Sequence, residues 1–272
     1  MILQYQSSNG QVFDLKVGHI RTRTANYHTY NWKPQVIDQQ YGARVYRFDK
    51  EAVAYESLLS IFGSLEERKQ WLNILHSAFE HDIVNMTPGR ITHGMYSIEC
   101  YITMSNTYYE EPFTQNEITI YCPYPFWSRS TTHRLRNQGG EKEYPYLDFE
   151  YDFEYDFQAK LSGYASIQNE AVAPCDWEMV IYGPVTNPLV SIDGMIVGVY
   201  AVIGTGEKVV ISSRDKTVKR IAGNAEGNLF NQRYKGNSIF ERLPSGSHLV
   251  IWSGEFDVDI TTFAERSEPP WI

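Results

Sequence analysis

The sequence has 272 residues, of which 42% are hydrophobic and 14% are aromatic, with 20 tyrosines. This length allows two ordinary domains or one large all-β domain, and the apolar share argues against wholesale disorder. The formal net charge of −9 argues against a dedicated nucleic-acid reader, because an acidic surface repels phosphate. The many tyrosines suit strand faces and subunit interfaces, since each ring is apolar with a polar tip.

The chain shows no signal for a membrane or a secretory route. Its first ten residues lack a basic region followed by an apolar run, so we expect no signal peptide. The longest apolar stretch, residues 195–203, is about half of what a membrane-spanning helix needs. We therefore expect no membrane insertion, and folding in a cytoplasm.

Most of the chain alternates apolar and polar residues between turn signals, which predicts strands. One helix is predicted over residues 64–82. Ser64 and Glu67 have the spacing of a capping box, and the apolar residues from Trp71 to Phe79 then fall on one face. The apolar stretch before the helix, residues 52–62, fits either a strand or a lead-in helix.

Two further strands are predicted around residues 96–102 and 118–122, and a proline-rich run stops the second, because proline cannot donate to a ladder. This run contains Tyr124, Pro125, Phe126 and Trp127, which are the candidate functional residues. Buried aromatic anchors dominate many interfaces, so the four residues could form an interface. Core packing at a domain corner explains them equally well.

A polar stretch with Gly139-Gly140 follows, and it predicts an interdomain linker at about residues 128–142. The predicted domains are therefore residues 1–130, a β-sandwich with the helix, and residues 143–272. In the second domain, short strands punctuated by Gly and Pro indicate a sandwich or jelly roll.

Residues 148–157 alternate aromatic and acidic side chains, which a strand would place on opposite faces. Three interpretations stay open for the acidic face. It could be simply solvated, it could form a charged wall that lines a channel or meets a basic partner, or it could bind calcium.

No residue pattern nominates a catalytic, cofactor-binding or metal-binding site. The sequence has no G-x-S-x-G elbow, P-loop or EF-hand loop, and His76 and His81 are spaced wrongly for one metal ion. The three cysteines form no C-x-x-C pair and are expected to be buried, reduced thiols. We expect no enzyme, no cofactor and no metal.

Three stretches of the sequence stand out by their order and spacing. The first is Asn116–Trp127, a strand that ends in a Cys-Pro-x-Pro-Phe-Trp sequence, and the second is Ile181–Pro188, a strand followed by Gly-Pro and Asn-Pro. The third runs from Gly206-Glu207 through a strand to the turn Leu243–Gly246. Together they resemble the siphophage distal tail protein family. A homologue from a contractile tail or a tailocin is an open alternative.

The resemblance implies a structural virion protein at the tail tip, with an N-terminal ring-forming sandwich and a galectin-like C-terminal sandwich. It implies a homohexameric ring that joins the tail tube protein to the tail-associated hub and, in some phages, to receptor-binding proteins. DNA would pass through the ring without specific binding, and assembly would take place in the cytoplasm of the bacterial host. The alternative function is a cell-wall polysaccharide-binding module, in which Tyr and Trp rings stack on sugars.

Overall fold

The structure is a computed structural model that describes residues 2–137 and 163–271. The aromatic and acidic stretch 148–157 lies outside the described residues. The chain divides into two compact units, Met1–Arg129 with Glu265–Ile272, and Ser130–Ala264. The predicted mainly β class with one helix in the N-terminal part is confirmed.

The N-terminal unit contains the helix, the first nine strands and the start of the tenth. The elements in chain order are β1 (Leu3–Gln6), β2 (Val12–Asp14), β3 (Ile20–Ala25), β4 (Lys33–Asp38), β5 (Ala43–Asp49), β6 (Val53–Ile61), α1 (Leu65–Val84), β7 (Gly89–His93), β8 (Tyr96–Tyr109), β9 (Thr114–Cys122) and β10 (Trp127–Leu135).

Strand β8 has 14 residues and takes part in two antiparallel ladders of this unit. One ladder has the order β2-β1-β7-β8, and the other has the order β3-β6-β9-β8. Their inward residues form one core with the apolar face of α1, which buries Leu72, Leu75 and Phe79. The ambiguous stretch 52–62 is strand β6, because its alternate residues pack into this core between β3 and β9.

Helix α1 begins where the capping box predicts. Ser64 Oγ accepts a hydrogen bond from the Glu67 amide, and Glu67 Oε2 accepts one from the Ser64 amide at 2.8 Å. The helix extends two residues beyond the predicted end, to Val84. On its buried side, Arg68 Nη2 lies 2.7 Å from Glu111 Oε1, and this ion pair ties α1 to the loop after β8.

Asp82 ties the last turns of the same helix to β1. Its fully buried carboxylate accepts hydrogen bonds from Tyr5 Oη at 2.5 Å, Ser7 Oγ at 2.6 Å, and Ser8 Oγ at 2.7 Å. Burial acts to raise the pKa of this carboxyl, but hydrogen bonds from Ser7, Tyr5 and Ser8 outweigh it and hold the pKa below its ordinary value. Gly89 leaves room for the carboxylate, because a Cβ atom there would overlap Asp82 Oδ2.

The second unit is a β-sandwich around its own core. Its elements after β10 are β11 (Gly163–Asn169), β12 (Asp176–Tyr182), β13 (Val185–Thr186), β14 (Leu189–Ile192), β15 (Met195–Gly198), β16 (Val202–Ile203), β17 (Glu207–Ser212), β18 (Thr217–Ala222), β19 (Ala225–Asn228), a 3-10 turn (Phe230–Gln232), β20 (Gly246–Trp252) and β21 (Val258–Arg266). One sheet has the order β19-β18-β17-β12-β21-β10, and the other has the order β11-β20-β14-β15. Inward residues such as Trp177 and Trp252 pack between them.

The region of the predicted linker differs from the sequence-based expectation. Residues 128–135, the first half of the predicted linker 128–142, belong to strand β10, which ends at the buried Leu135. Polar residues alternate along this strand because one of its faces is solvated, and that pattern resembles a linker in composition. The proposed division into domains 1–130 and 143–272 stays a prediction, and the structure places Glu265–Ile272 in the N-terminal unit. No helix in the described ranges is long and apolar enough to cross a membrane.

Candidate functional site

The residues that bear on catalysis or metal binding are dispersed. Within residues 2–137 and 163–271, no group of three or more His, Cys, Asp or Glu side chains could hold a metal ion. His76 Nε2 lies 3.3 Å from Ser105 Oγ, whereas His81 lies beside Asp82. Burial raises the pKa of Cys100 well above its ordinary value and that of Cys122 to about 12, so both thiols stay protonated.

The structure divides the four candidate residues into buried and outward-facing positions. Trp127 is fully buried, and its Nε1 donates a hydrogen bond to Tyr55 Oη at 3.2 Å. Pro125 is also buried, whereas Phe126 is partly exposed and Tyr124 is exposed. Trp127 is therefore core packing in this chain, and the surface part of the predicted run is Tyr124 and Phe126.

Phe126 belongs to a cluster that the sequence did not reveal, which we call the aromatic corner: Tyr30, Trp32, Tyr124 and Phe126. The Phe126 ring centroid lies 5.9 Å from that of Trp32 and 5.2 Å from that of Tyr124. The Tyr124 hydroxyl donates a hydrogen bond to Glu265 Oε2 at 2.8 Å. The pair Tyr30 and Trp32 is far in sequence from the pair Tyr124 and Phe126, so no local pattern groups the two pairs.

Lys50 points into the aromatic corner. Its Nζ atom lies 4.2 Å from the ring centroid of Phe126 and 5.4 Å from that of Trp32, which are cation–π distances. The same atom is buried and has no hydrogen-bond partner among the residues that the structure describes. Burial lowers the pKa of this amine to about 8, and the nearby Glu265 carboxylate partly opposes the shift.

The aromatic corner holds the base of a projecting hairpin, formed by β4 and β5. Trp32 directly precedes β4 and Lys50 directly follows β5, so their contact closes the two ends of the hairpin. Within the described part of the chain, β4 and β5 pair only with each other. The hairpin therefore depends on its base, and not on a neighbouring strand, for its place in the unit.

The hairpin exposes apolar side chains on one face. The ladder places Pro34 opposite Phe48 and Val36 opposite Val45, and side chains that face each other across a ladder share a face. Val36, Val45 and Phe48 are 46%, 43% and 57% exposed. A monomer gains little from such a face, and exposed apolar side chains grouped on one face are typical of an interaction surface.

The other hairpin face carries arginines. Ile37 lies opposite Arg44, and Gln35 lies opposite Arg47. Arg47 pairs within the hairpin with Asp49, at 2.7 Å between Nε and Oδ1. The Arg44 side chain is exposed and has no ion-pair or hydrogen-bond partner in the described ranges. The hairpin thus offers an apolar face and a face on which the Arg44 guanidinium pairs with no residue in the described ranges.

Solved structures of phage proteins share the fold of this chain. One is the SPP1 Dit (gp 19.1) protein, described as a paradigm of hub adsorption apparatus in phages that infect Gram-positive bacteria. It is 11% identical, with a TM-score of 0.64 over 98% of this chain and 100% of that one. Chains of the phage P2 baseplate in its activated conformation with Ca and with Sr are 11% and 14% identical, with TM-scores of 0.63 and 0.62 over 99% of this chain and 100% of theirs. No protein-family model and no curated protein sequence matches the chain.

Proposed function

We propose that this protein is a structural subunit of a phage tail tip that forms a ring between the tail tube and the hub or baseplate. The observation that carries the proposal is the likeness in fold, which covers 98–99% of this chain and the whole of the hub and baseplate chains. A shared fold alone does not transfer a function. The likeness gains weight because the sequence motifs independently resemble the distal tail proteins, from Asn116–Trp127 to Leu243–Gly246.

The hairpin supports assembly on physical grounds. It exposes Val36, Val45 and Phe48 together, and it pairs with no other strand of the described chain. Burying apolar surface of this kind contributes about 25 cal/mol per Å². A subunit interface is the arrangement that uses this surface, and the aromatic corner fixes the direction in which the hairpin projects.

The finer parts of the proposal are a homohexamer, contacts with the tail tube protein and the tail-associated hub, and contacts in some phages with receptor-binding proteins. The acidic net charge of −9 suits a conduit for DNA, because a repulsive wall lowers non-specific binding. The protein would then reside at the tail tip of the virion. The likeness in fold does not favour the polysaccharide-binding alternative.

Negative-stain images and light scattering of the purified protein test the proposal. We expect closed rings, formed by the protein alone or in the presence of its tail-tube and hub partners. The paired substitution of Val36→Ser and Val45→Ser should abolish ring formation without lowering the melting temperature, because both side chains are exposed. Val172→Ser, at a 98% exposed position of the second unit, is the matched control.

A protein that stays monomeric and also fails to join rings with tail-tube or hub proteins would contradict the proposed function. Binding to purified cell-wall polysaccharide, with no ring under any condition, would favour the alternative function instead.

A further inference from the structure

We infer that Cys100 and Cys122 form a redox-sensitive pair, which closes into a disulfide between β8 and β9 under oxidising conditions. Both residues are buried thiols of the N-terminal unit, whereas Cys175 is a buried thiol of the second unit. A disulfide at this place is a covalent modification of the core, and it goes beyond the proposed assembly function.

The register of the two strands brings the cysteines together. The β8–β9 ladder pairs Tyr101 with Tyr121, and one step further along the two strands stand Cys100 and Cys122. Residues directly opposite each other in an antiparallel ladder have Cα atoms about 4.5 to 5.5 Å apart. A disulfide bridges Cα atoms that are about 4.4 to 6.8 Å apart, so the backbone at this position suits one.

Both cysteine side chains point to the inner face of the sheet. Tyr101 and Tyr121 lie on the outer face, whereas Cys100 and Cys122 are 0% exposed and belong to one core cluster. The electrostatics agree with this proximity. Burial and then the nearby Cys122 raise the pKa of Cys100, and burial followed by both thiols raises the pKa of Tyr27. The two sulfur atoms can therefore meet by rotation about the Cα–Cβ bonds.

The same burial controls how fast the pair reacts. The thiolate is the nucleophile in disulfide formation, and burial raises the pKa of Cys122 to about 12. Few thiolates are present at neutral pH, and the folded core admits no oxidant. Oxidation therefore proceeds when the end of the β8–β9 ladder opens, or while the chain refolds. The pair stays reduced during a short exposure and closes over a longer one.

Thiol–disulfide exchange with glutathione disulfide supplies a balanced route. One cysteine thiolate attacks a sulfur atom of glutathione disulfide, which breaks that S–S bond and releases one reduced glutathione. The second cysteine thiolate then attacks the mixed disulfide and releases a second reduced glutathione. The protein gives up two electrons and two protons, and the two glutathione molecules take them up.

The disulfide would restrain the end of β9, directly before the Pro123–Trp127 run. A cross-link of this kind stabilises a fold mainly by restricting the unfolded chain. Thiols stay reduced inside most cells and are oxidised outside them. A virion protein is made inside and acts outside, so the expected timing, closure after release, rests on the proposed function. Formation of the disulfide itself does not.

Refolding the full chain from urea in a glutathione redox buffer tests the inference. Unfolded thiols react readily, so the product shows which pair the native fold accepts. Remaining thiols are alkylated, natively folded protein is isolated by gel filtration, and an unreduced digest is analysed by mass spectrometry. We expect the loss of two of the three thiols, with the peptides of Cys100 and Cys122 joined and Cys175 alkylated. Dithiothreitol should release the two peptides.

Cys122→Ala should retain both of its thiols under the same treatment, and Cys175→Ala, the matched control in the second unit, should still form the cross-link. The inference is overturned if natively refolded wild type keeps three alkylated thiols, or if Cys175 takes part in the main disulfide. The wild-type digest decides even where Cys122→Ala does not fold.

The timing has its own measurement. Protein alkylated at the moment of lysis of the producing cells should carry three alkylated thiols, and a cross-link already present there overturns closure after release. A wild-type protein that forms no ring alone or with tail partners contradicts the proposed function and the timing, and it leaves the cross-link standing.

Discussion

The ammonium of Lys50 lies 4.2 Å from the ring centroid of Phe126, and this contact fastens the C-terminal end of the β4–β5 hairpin to the segment that follows β9. Phe126 also contacts Trp32, at the other end of the hairpin. One cation and two rings thus hold the base of a hairpin that pairs with no other strand of the described residues. A surface that assembles with another subunit needs such a fixed base, because an interface loses affinity when its residues must first be ordered.

The amine of Lys50 is expected to titrate near its lowered pKa of about 8, because burial disfavours its charged form. NMR titration of the lysine side chains measures this directly. Phe126→Ala admits water to the amine and should move the midpoint of Lys50 upward, toward the ordinary lysine pKa of about 10.4. A midpoint for wild-type Lys50 near the ordinary value would contradict the burial seen in the structure.

The same pKa predicts a pH dependence of stability. Since the folded pKa is below the unfolded one, the cost of burying the charge is present in full below about pH 8. The cost disappears as the pH rises toward about 10.4, where the unfolded state also loses its proton. The free energy of unfolding should therefore receive a rising contribution across this window. Lys50→Met should remove that contribution, measured by urea unfolding at several pH values.

Asp82 is expected to be one of the most sensitive positions of the N-terminal unit. Asp82→Ala removes the acceptor of three buried or partly buried hydroxyls and should cost about 3 kcal/mol of unfolding free energy or more. Glu80→Ala, at an exposed position of the same helix, is the control and should have a much smaller effect.

Because the folded pKa of Asp82 is lowered, its contribution is fully present above the ordinary pKa of Asp, about 3.9. The contribution is lost as the pH falls through the lowered folded value. The difference in stability between wild type and Asp82→Ala should therefore shrink in acid. A difference that stays constant down to the acid limit of folding would show that the carboxylate form is not what the hydroxyls stabilise.

Trp127 and Tyr124 are expected to respond differently to substitution, although the sequence places them in one run. Trp127→Ala empties a fully buried site and should cost about 4 kcal/mol. Tyr124→Phe removes the exposed hydrogen bond to Glu265 and should cost about 1 kcal/mol or less. Urea unfolding measures both costs. Hydrogen exchange of the β9 amides shows whether the loss of stability lies in the N-terminal unit. Equal costs would contradict the division into core and surface.

Metal removal is expected to leave the melting temperature unchanged, because the described residues contain no cluster of metal ligands. Differential scanning calorimetry with and without chelator checks this. A fall of several degrees that calcium reverses would instead assign the stretch 148–157 as a binding site.

The sequence by itself determined the elements whose causes are local. The helix at 65–84 follows from a capping box within four residues and an apolar stripe at helical spacing, and most strands follow from alternation. Residues 52–62 fit a strand or a lead-in helix by local pattern alone, because their C-terminal half is apolar at nearly every position. Pairing with β3 and β9, which are distant in sequence, makes this segment strand β6.

Only the tertiary structure decided what depends on residues far apart in the chain. Asp82 meets Tyr5 across 77 positions, and Lys50 meets Phe126 across a similar distance, and neither residue type suggests such a partner. Strand β10 was expected as linker, because a half-solvated strand and a linker have similar compositions. Polarity and spacing are local properties, whereas burial, uncompensated charge and free strand edges are set by the packing of distant segments. These are the properties that make the hairpin and the aromatic corner candidates for assembly.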